Sequence, residues 1–287
     1  MAVYERTWRR YDGPLTRLDL RFLVITRYAL REAFSSRLFT AFYALCALPT
    51  LAGVFLVYLS HNSGLLSRLG ATQEVLSALT MTYLGVYMFI YQAVPAFFVA
   101  VVVSPTLIAA DVSDNGLPLY LCRPIDRRDY VLGKVGVLAL LLSPVTWVGG
   151  LLVYALQALM EGHGWWLDNL RIPLAYLVGH AAWITAVSLL SLAISAWARF
   201  KPAARSGLVG IFLISSGMSA ALKLSIHSPW IDLVSPIKVI STIVAHLFGA
   251  SAPGGIPAWA AWLSLGAVTG FSLLLIHFKL RAHEVVR

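Results

Sequence analysis

A chain of 287 residues that is 59% apolar, only 12% Asp, Glu, Lys or Arg, and has a mean hydropathy of +0.77 has too few charges for a soluble domain's surface and too much apolar side chain for a disordered one. It still carries +9, from 22 Lys and Arg against 13 Asp and Glu, which points to nucleic acid only if the basic residues are not scattered between apolar runs. Two cysteines, Cys46 and Cys122, exclude a disulfide framework, and their spacing fits no metal motif.

In chain order, the first predicted element is an amphipathic helix over 17–34. Thr16 and Asp19 have capping-box spacing. At 100° per residue Arg17, Arg21, Arg27 and Arg31 share a stripe, with Leu18, Phe22, Ile25, Ala29 and Ala33 roughly opposite. Such a helix suits an inner membrane surface, as an anchor on anionic lipid, a platform for a partner, or both. Charge-free runs follow at 38–64, 75–110, 135–160, 172–198, 206–222 and 239–278. A bilayer-spanning helix needs about 20 apolar residues. Gly249, Pro253, Gly254, Gly255 and Pro257 break the last run, leaving 239–248 as a short interfacial or re-entrant helix. Six spans result, at about 38–59, 83–108, 134–160, 172–197, 206–224 and 257–279. The first begins too late and is too long for a signal peptide. The fold class is therefore all-α integral membrane, with a cytoplasmic region 1–37, a six-span domain 38–279 and a tail 280–287.

Six spans put both termini on one side. The segments on that side hold 18 of the 22 Lys and Arg, and the other side holds only Arg68, Arg171, Lys223 and Lys238. The positive-inside rule makes the first side cytoplasmic. Four carboxylates (Glu74, Glu161, Asp168, Asp232) offset the outer four basic residues, so the whole net charge faces the cytoplasm, and nucleic acid is not an expected partner.

The loop 109–134 is far denser in charge than the chain average, with Asp111, Asp114, Asp126 and Asp129 against Arg123, Arg127, Arg128 and Lys134. Pro124 pushes Arg123 out of helical geometry. Asp126 is placed to cap a new helix with its side chain, Asp129 to complement its first turn, and the helix to run through Tyr130, Gly133 and Lys134 into span three. Leu117, Leu119, Tyr120 and Leu121 are apolar side chains on a cytoplasmic loop, which argues for docking. The loop resembles the coupling loop of the type-2 ATP-binding-cassette (ABC) exporter permeases, on Asp114, Gly116, Leu119, Leu121, Arg123, Pro124, Arg127, Tyr130, Gly133 and Lys134. The amphipathic N-terminal helix, the six spans and the broken segment before the sixth resemble that family too.

The resemblance implies a permease subunit, not itself an enzyme, in a cytoplasmic (inner) membrane. It implies a homo- or heterodimer with the translocation path at or near its interface, and two separate P-loop ATPase subunits carrying ATP and Mg. Docking would use the N-terminal helix and the loop, with Asp111, Arg128 and Asp129 beside the motif residues. The chain has no P-loop of its own: Arg128 stands where the first Gly would be, and no Ser or Thr follows Lys134. No cofactor is expected in this chain.

Two other readings stay open from the residues. Asp111-x-x-Asp114 and Asp126-x-x-Asp129 have the spacing of paired-carboxylate metal sites in membrane enzymes, although neighbouring arginines oppose metal binding. The chain could also be a scaffold without a path. His180 and His277 sit at unequal depths for one haem and are expected to be packing or interfacial histidines. Pro95 and Pro105 are expected to kink span two. Gly207, Gly210, Ser215, Ser216, Gly217 and Ser219 in span five are expected to pack within the subunit. Most tryptophans are expected in a belt at span ends. Nothing in the spans names a substrate.

Overall fold

The computed structural model describes residues 17, 20–62, 80, 83–113, 126–162, 164–198, 200–251 and 254–281. Among these there is no strand. Six helices are long and apolar enough to cross a membrane: Arg37–Ser60, Tyr83–Ser113, Arg127–Glu161, Arg171–Trp197, Lys201–Ile226 and Ala258–Leu280, here spans one to six. Each overlaps one charge-free run of the sequence, which makes the chain compatible with a multi-pass membrane protein.

The core lies where spans two and four meet. These are the most enclosed helices, and span five the least. Phe89, Val99 and Ala100 of span two and Leu192 and Ala196 of span four are fully or almost fully buried. Spans three, five and six pack around span four, while span one lies outside spans two and three.

Breaks in the spans have local causes. Span one is interrupted at Cys46–Ala47, just before a helix opening at Leu48–Pro49. Span two carries the expected prolines, and Pro105 is followed by a break at Ile108 (φ −119°). The Ser195 hydroxyl of span four splices this break: it donates to the Ser104 carbonyl (3.0 Å) and accepts from the Ala109 amide (2.9 Å). Polar groups opened by the break thus find a partner inside the bundle, as a low-dielectric surrounding requires.

The helix expected to open after Asp126 begins at Arg127 and runs through Tyr130, Gly133 and Lys134 into the span expected at about 134–160, without a break at Lys134. Asp126 occupies the cap position with extended backbone (ψ 160°), but its side chain makes no capping bond; its carbonyl accepts the first bond of the helix, from the Tyr130 amide. The N-terminal helix runs Arg21–Ala33 and has no side-chain cap. Arg17 therefore precedes it, and the Thr16–Asp19 capping box lies outside the described residues.

The short helix before span six spans Pro236–Phe248 and is pinned at both ends. It packs on spans four, five and six, with Val239, Ile243, Val244 and Ala245 buried. At its C-terminus Arg171 of span four donates to the carbonyls of His246 and Leu247 (both 2.7 Å), satisfying groups a helix end leaves open. Gly249 ends it at φ +74°, pressed against that guanidinium.

Candidate functional site

The residues that the sequence singles out around the loop between spans two and three divide into three groups. Asp111, Tyr130 and Lys134 come together. Asp111 ends span two; Tyr130 and Lys134 lie one turn apart near the start of span three. The Lys134 ammonium is 2.8 Å from Asp111 Oδ2, and the Tyr130 hydroxyl donates to the same oxygen at 2.7 Å. The Lys134 side chain is only 5% exposed and that of Asp111 17%, so the pair is held in a poorly hydrated place. A buried pair of this kind is a weak source of net stability, but losing one member leaves an uncompensated charge. Its geometric effect is to tie the two ends of the loop together.

Gly133, one residue before, seats the N-terminal helix. A Cβ there would lie 3.0 Å from the Phe22 carbonyl oxygen and from Ile25 Cβ. The Thr26 hydroxyl reaches across to the Gly133 carbonyl (2.9 Å), and a Cβ at Gly136 would lie 3.1 Å from the same hydroxyl. Backbone meets backbone here because neither glycine has a side chain. The apolar face expected to lie on the membrane is thus used against span three: Ile25 and Thr26 are buried, and Phe22, Ala29 and Ala33 are half-buried. The outward face mixes Arg27 and Arg31 with exposed Leu23, Val24 and Tyr28, and Arg21 is half-buried. Thr26 and Gly136 were not distinguishable as contact residues in the sequence; a hydroxyl on an apolar stripe and a Gly-x-x-Gly pair are the signals.

Arg127 and Arg128 form the second group. They line a groove between span three and span six, away from Asp111. Asp129 is half-buried in the first turn of span three. The third group, Asp114, Gly116, Leu119, Leu121, Arg123 and Pro124, lies outside the described residues.

At the opposite end of the bundle is a charged cluster that the sequence showed only as scattered charges. Asp232, in the turn Pro229–Val234, is 1% exposed and receives Lys223 (2.6 Å) and Lys238 (2.5 Å). The Ser219 hydroxyl adds a bond to Asp232 at 3.2 Å. Burial alone raises the Asp232 carboxyl, but the hydrogen bonds from Lys223, Lys238 and Ser219 and the charge of Lys238 outweigh it, and the group sits below the ordinary carboxylate value. Gly254, at φ +106°, lies so close to Asp232 that a Cβ would collide with the carboxylate. Span five, the turn, the short helix and the approach to span six meet at this one side chain.

His180 is fully buried, stacked 3.9 Å from the Phe89 ring, with Nδ1 3.1 Å from the Tyr176 carbonyl. His277 is exposed near the end of span six, and among the described residues no cluster could hold a metal. Trp183 is in the core, not at a span end. The small-residue face of span five is split. Ser216 and Ser219 bond inward to the turn and short helix, whereas a Cβ on Gly217 would meet nothing within 4 Å. An apolar cavity of about 290 Å³ lies between spans two, four and five and the short helix, walled by Phe89, Phe97, Trp183, Phe212 and Ile240. Its walls carry no polar constellation that would select a ligand.

No protein-family model matches the sequence, and no curated protein matches it.

Proposed function

We propose that the chain is the transmembrane permease subunit of an ABC transporter of the exporter type, working as a dimer and driven by separate ATPase subunits docked on its Arg-rich face. The positive-inside distribution supports a cytoplasmic position for that face and for both termini, in a cytoplasmic (inner) membrane. ATP and Mg belong to the partner.

The observation that carries this reading is the union of three elements at one end of the bundle. Thr26 and Gly133 bind the N-terminal helix to span three, and Asp111 with Lys134 and Tyr130 binds span two to span three. A partner pressing on the loop or on the N-terminal helix therefore moves the ends of spans two and three together. A loop that only reversed the chain would need no buried ion pair. The metal-enzyme reading is disfavoured by the same bond: Asp111 Oδ2 is already taken by an ammonium and a phenol.

The test is purification of the full chain from its native membranes. A P-loop ATPase should co-purify. Arg123→Glu combined with Arg127→Glu should abolish that capture while leaving membrane insertion intact. Undiminished capture by the double variant contradicts docking at the loop.

A further inference from the structure

The start of span three, with Arg127 and Arg128, and the end of span six do not close on each other. Between them runs a groove of about 720 Å³ with Arg127, Arg128 and His277 among its lining residues and Leu132, Gly270 and Leu274 along its walls. Among the described residues no acidic side chain lines it. At Gly270 a Cβ would meet nothing within 4 Å, so the groove is open along that helix.

Its length and level have a physical meaning. From Leu280 to Gly270 it follows ten residues of span six, about 15 Å at 1.5 Å per residue. That is half of a hydrocarbon core about 30 Å thick, the depth of one leaflet. Next to it, Trp197 Nε1 donates to the Leu275 carbonyl (3.3 Å), and the Lys279 ammonium lies 5.3 Å from the Trp197 ring centre. Trp and Lys at span ends mark headgroup depth. The basic mouth is thus at the level of phosphates and the apolar walls at the level of acyl chains.

We propose that this groove binds one anionic phospholipid, its headgroup phosphate on Arg127 and Arg128 and one acyl chain between spans three and six. Arginine suits the phosphate through paired N–H donors. The site rests on the orientation proposed above, because the anionic leaflet must be the one at this end. It gives the first turn of span three a lipid contact beside the loop that the ATPase would press.

The experiment is native mass spectrometry of the full chain in detergent, with equimolar phosphatidylglycerol and phosphatidylcholine. One phosphatidylglycerol per chain should be retained over phosphatidylcholine. Arg127→Ala with Arg128→Ala should cut that preference by about tenfold or more. Leu274→Trp, which fills the groove and leaves both arginines, should also remove it. Each variant is first checked for a single size-exclusion peak, and Arg128→Gln replaces the double variant if the latter does not fold. Equal retention of the two lipids by the wild type overturns the site. So does a preference that survives either change; survival in Leu274→Trp would mean surface contact with no chain in the groove. Because the measurement in detergent involves neither orientation nor any ATPase, its failure is distinct from failure of the proposed function.

Discussion

Lys134 shows how a single side chain changes meaning between sequence and structure. In the sequence it closes a Gly-Lys pair and marks the edge of an apolar run. In the structure it is two turns inside a helix, buried and paired with Asp111. The pair makes a quantitative expectation possible. Lys134→Met or Asp111→Asn alone should lower unfolding stability in detergent by on the order of 3 kcal/mol, since each leaves a charge or its partner uncompensated in a poorly hydrated site. The double variant should recover much of that loss, a coupling a double-mutant cycle reads directly. Additive losses would show that the two do not interact. Asp232 gives the corresponding test on the other side of the bundle. Its folded value lies below the unfolded Asp value of about 3.9. Its stabilising contribution is therefore complete above that value and is lost as the pH falls through the lower, folded value. Thermal unfolding followed downward from pH 7 should show a drop below about pH 4 that Asp232→Asn removes. An unchanged drop in the variant would assign it to other carboxyls.

The elements were legible to different degrees. The six long helices follow from stretches of about 20 residues without charge, a signal that local sequence carries strongly because a bilayer forbids unpaired backbone. Their starts were less legible. For span three the opening at Arg127 was legible from Asp126 and Asp129, while the charge-free run alone put its edge at Lys134; the first turn tolerates Arg127, Arg128 and Asp129 because none of them is buried. Asp126 takes the cap position, but its side chain makes no capping bond. The N-terminal helix was legible as amphipathic, but not what its apolar face covers. That depended on Gly133 and Gly136, more than a hundred residues away, leaving room for it. The short helix was legible as too short to cross, while its anchors, Arg171 and Asp232, were just two of the eight outer charges. Arg171→Ala should free the His246 and Leu247 carbonyls and speed amide hydrogen exchange through Pro236–Phe248 by about tenfold, leaving span four protected. Unchanged exchange there would mean that burial on spans four, five and six holds the helix without the arginine.

At the scale of the whole molecule, the +9 of the composition resolves into one basic end and one neutral end. The basic end carries the Thr26–Gly133 seat, the Asp111–Lys134 tie and the Arg127–Arg128 groove; the neutral end carries the Asp232 knot. Site geometry of this kind cannot be read from charge density, because Asp111, Asp126 and Asp129 look alike in sequence and only Asp111 meets a lysine. Orientation is testable on the same scale. In a chain with Cys46 and Cys122 replaced, a cysteine at Glu161 should react with a membrane-impermeant maleimide added outside intact cells, and one at Ser113 should not. The reverse pattern would invert the topology.

MgATP hydrolysis by the assembly purified from native membranes decides whether the basic end receives work from a separate ATPase, as proposed. The expected result is hydrolysis by a co-purified P-loop subunit, one per copy of this chain, lost when the P-loop lysine of that subunit is replaced. An assembly that contains no such subunit and hydrolyses no ATP would show that the chain is not an ATPase-driven permease.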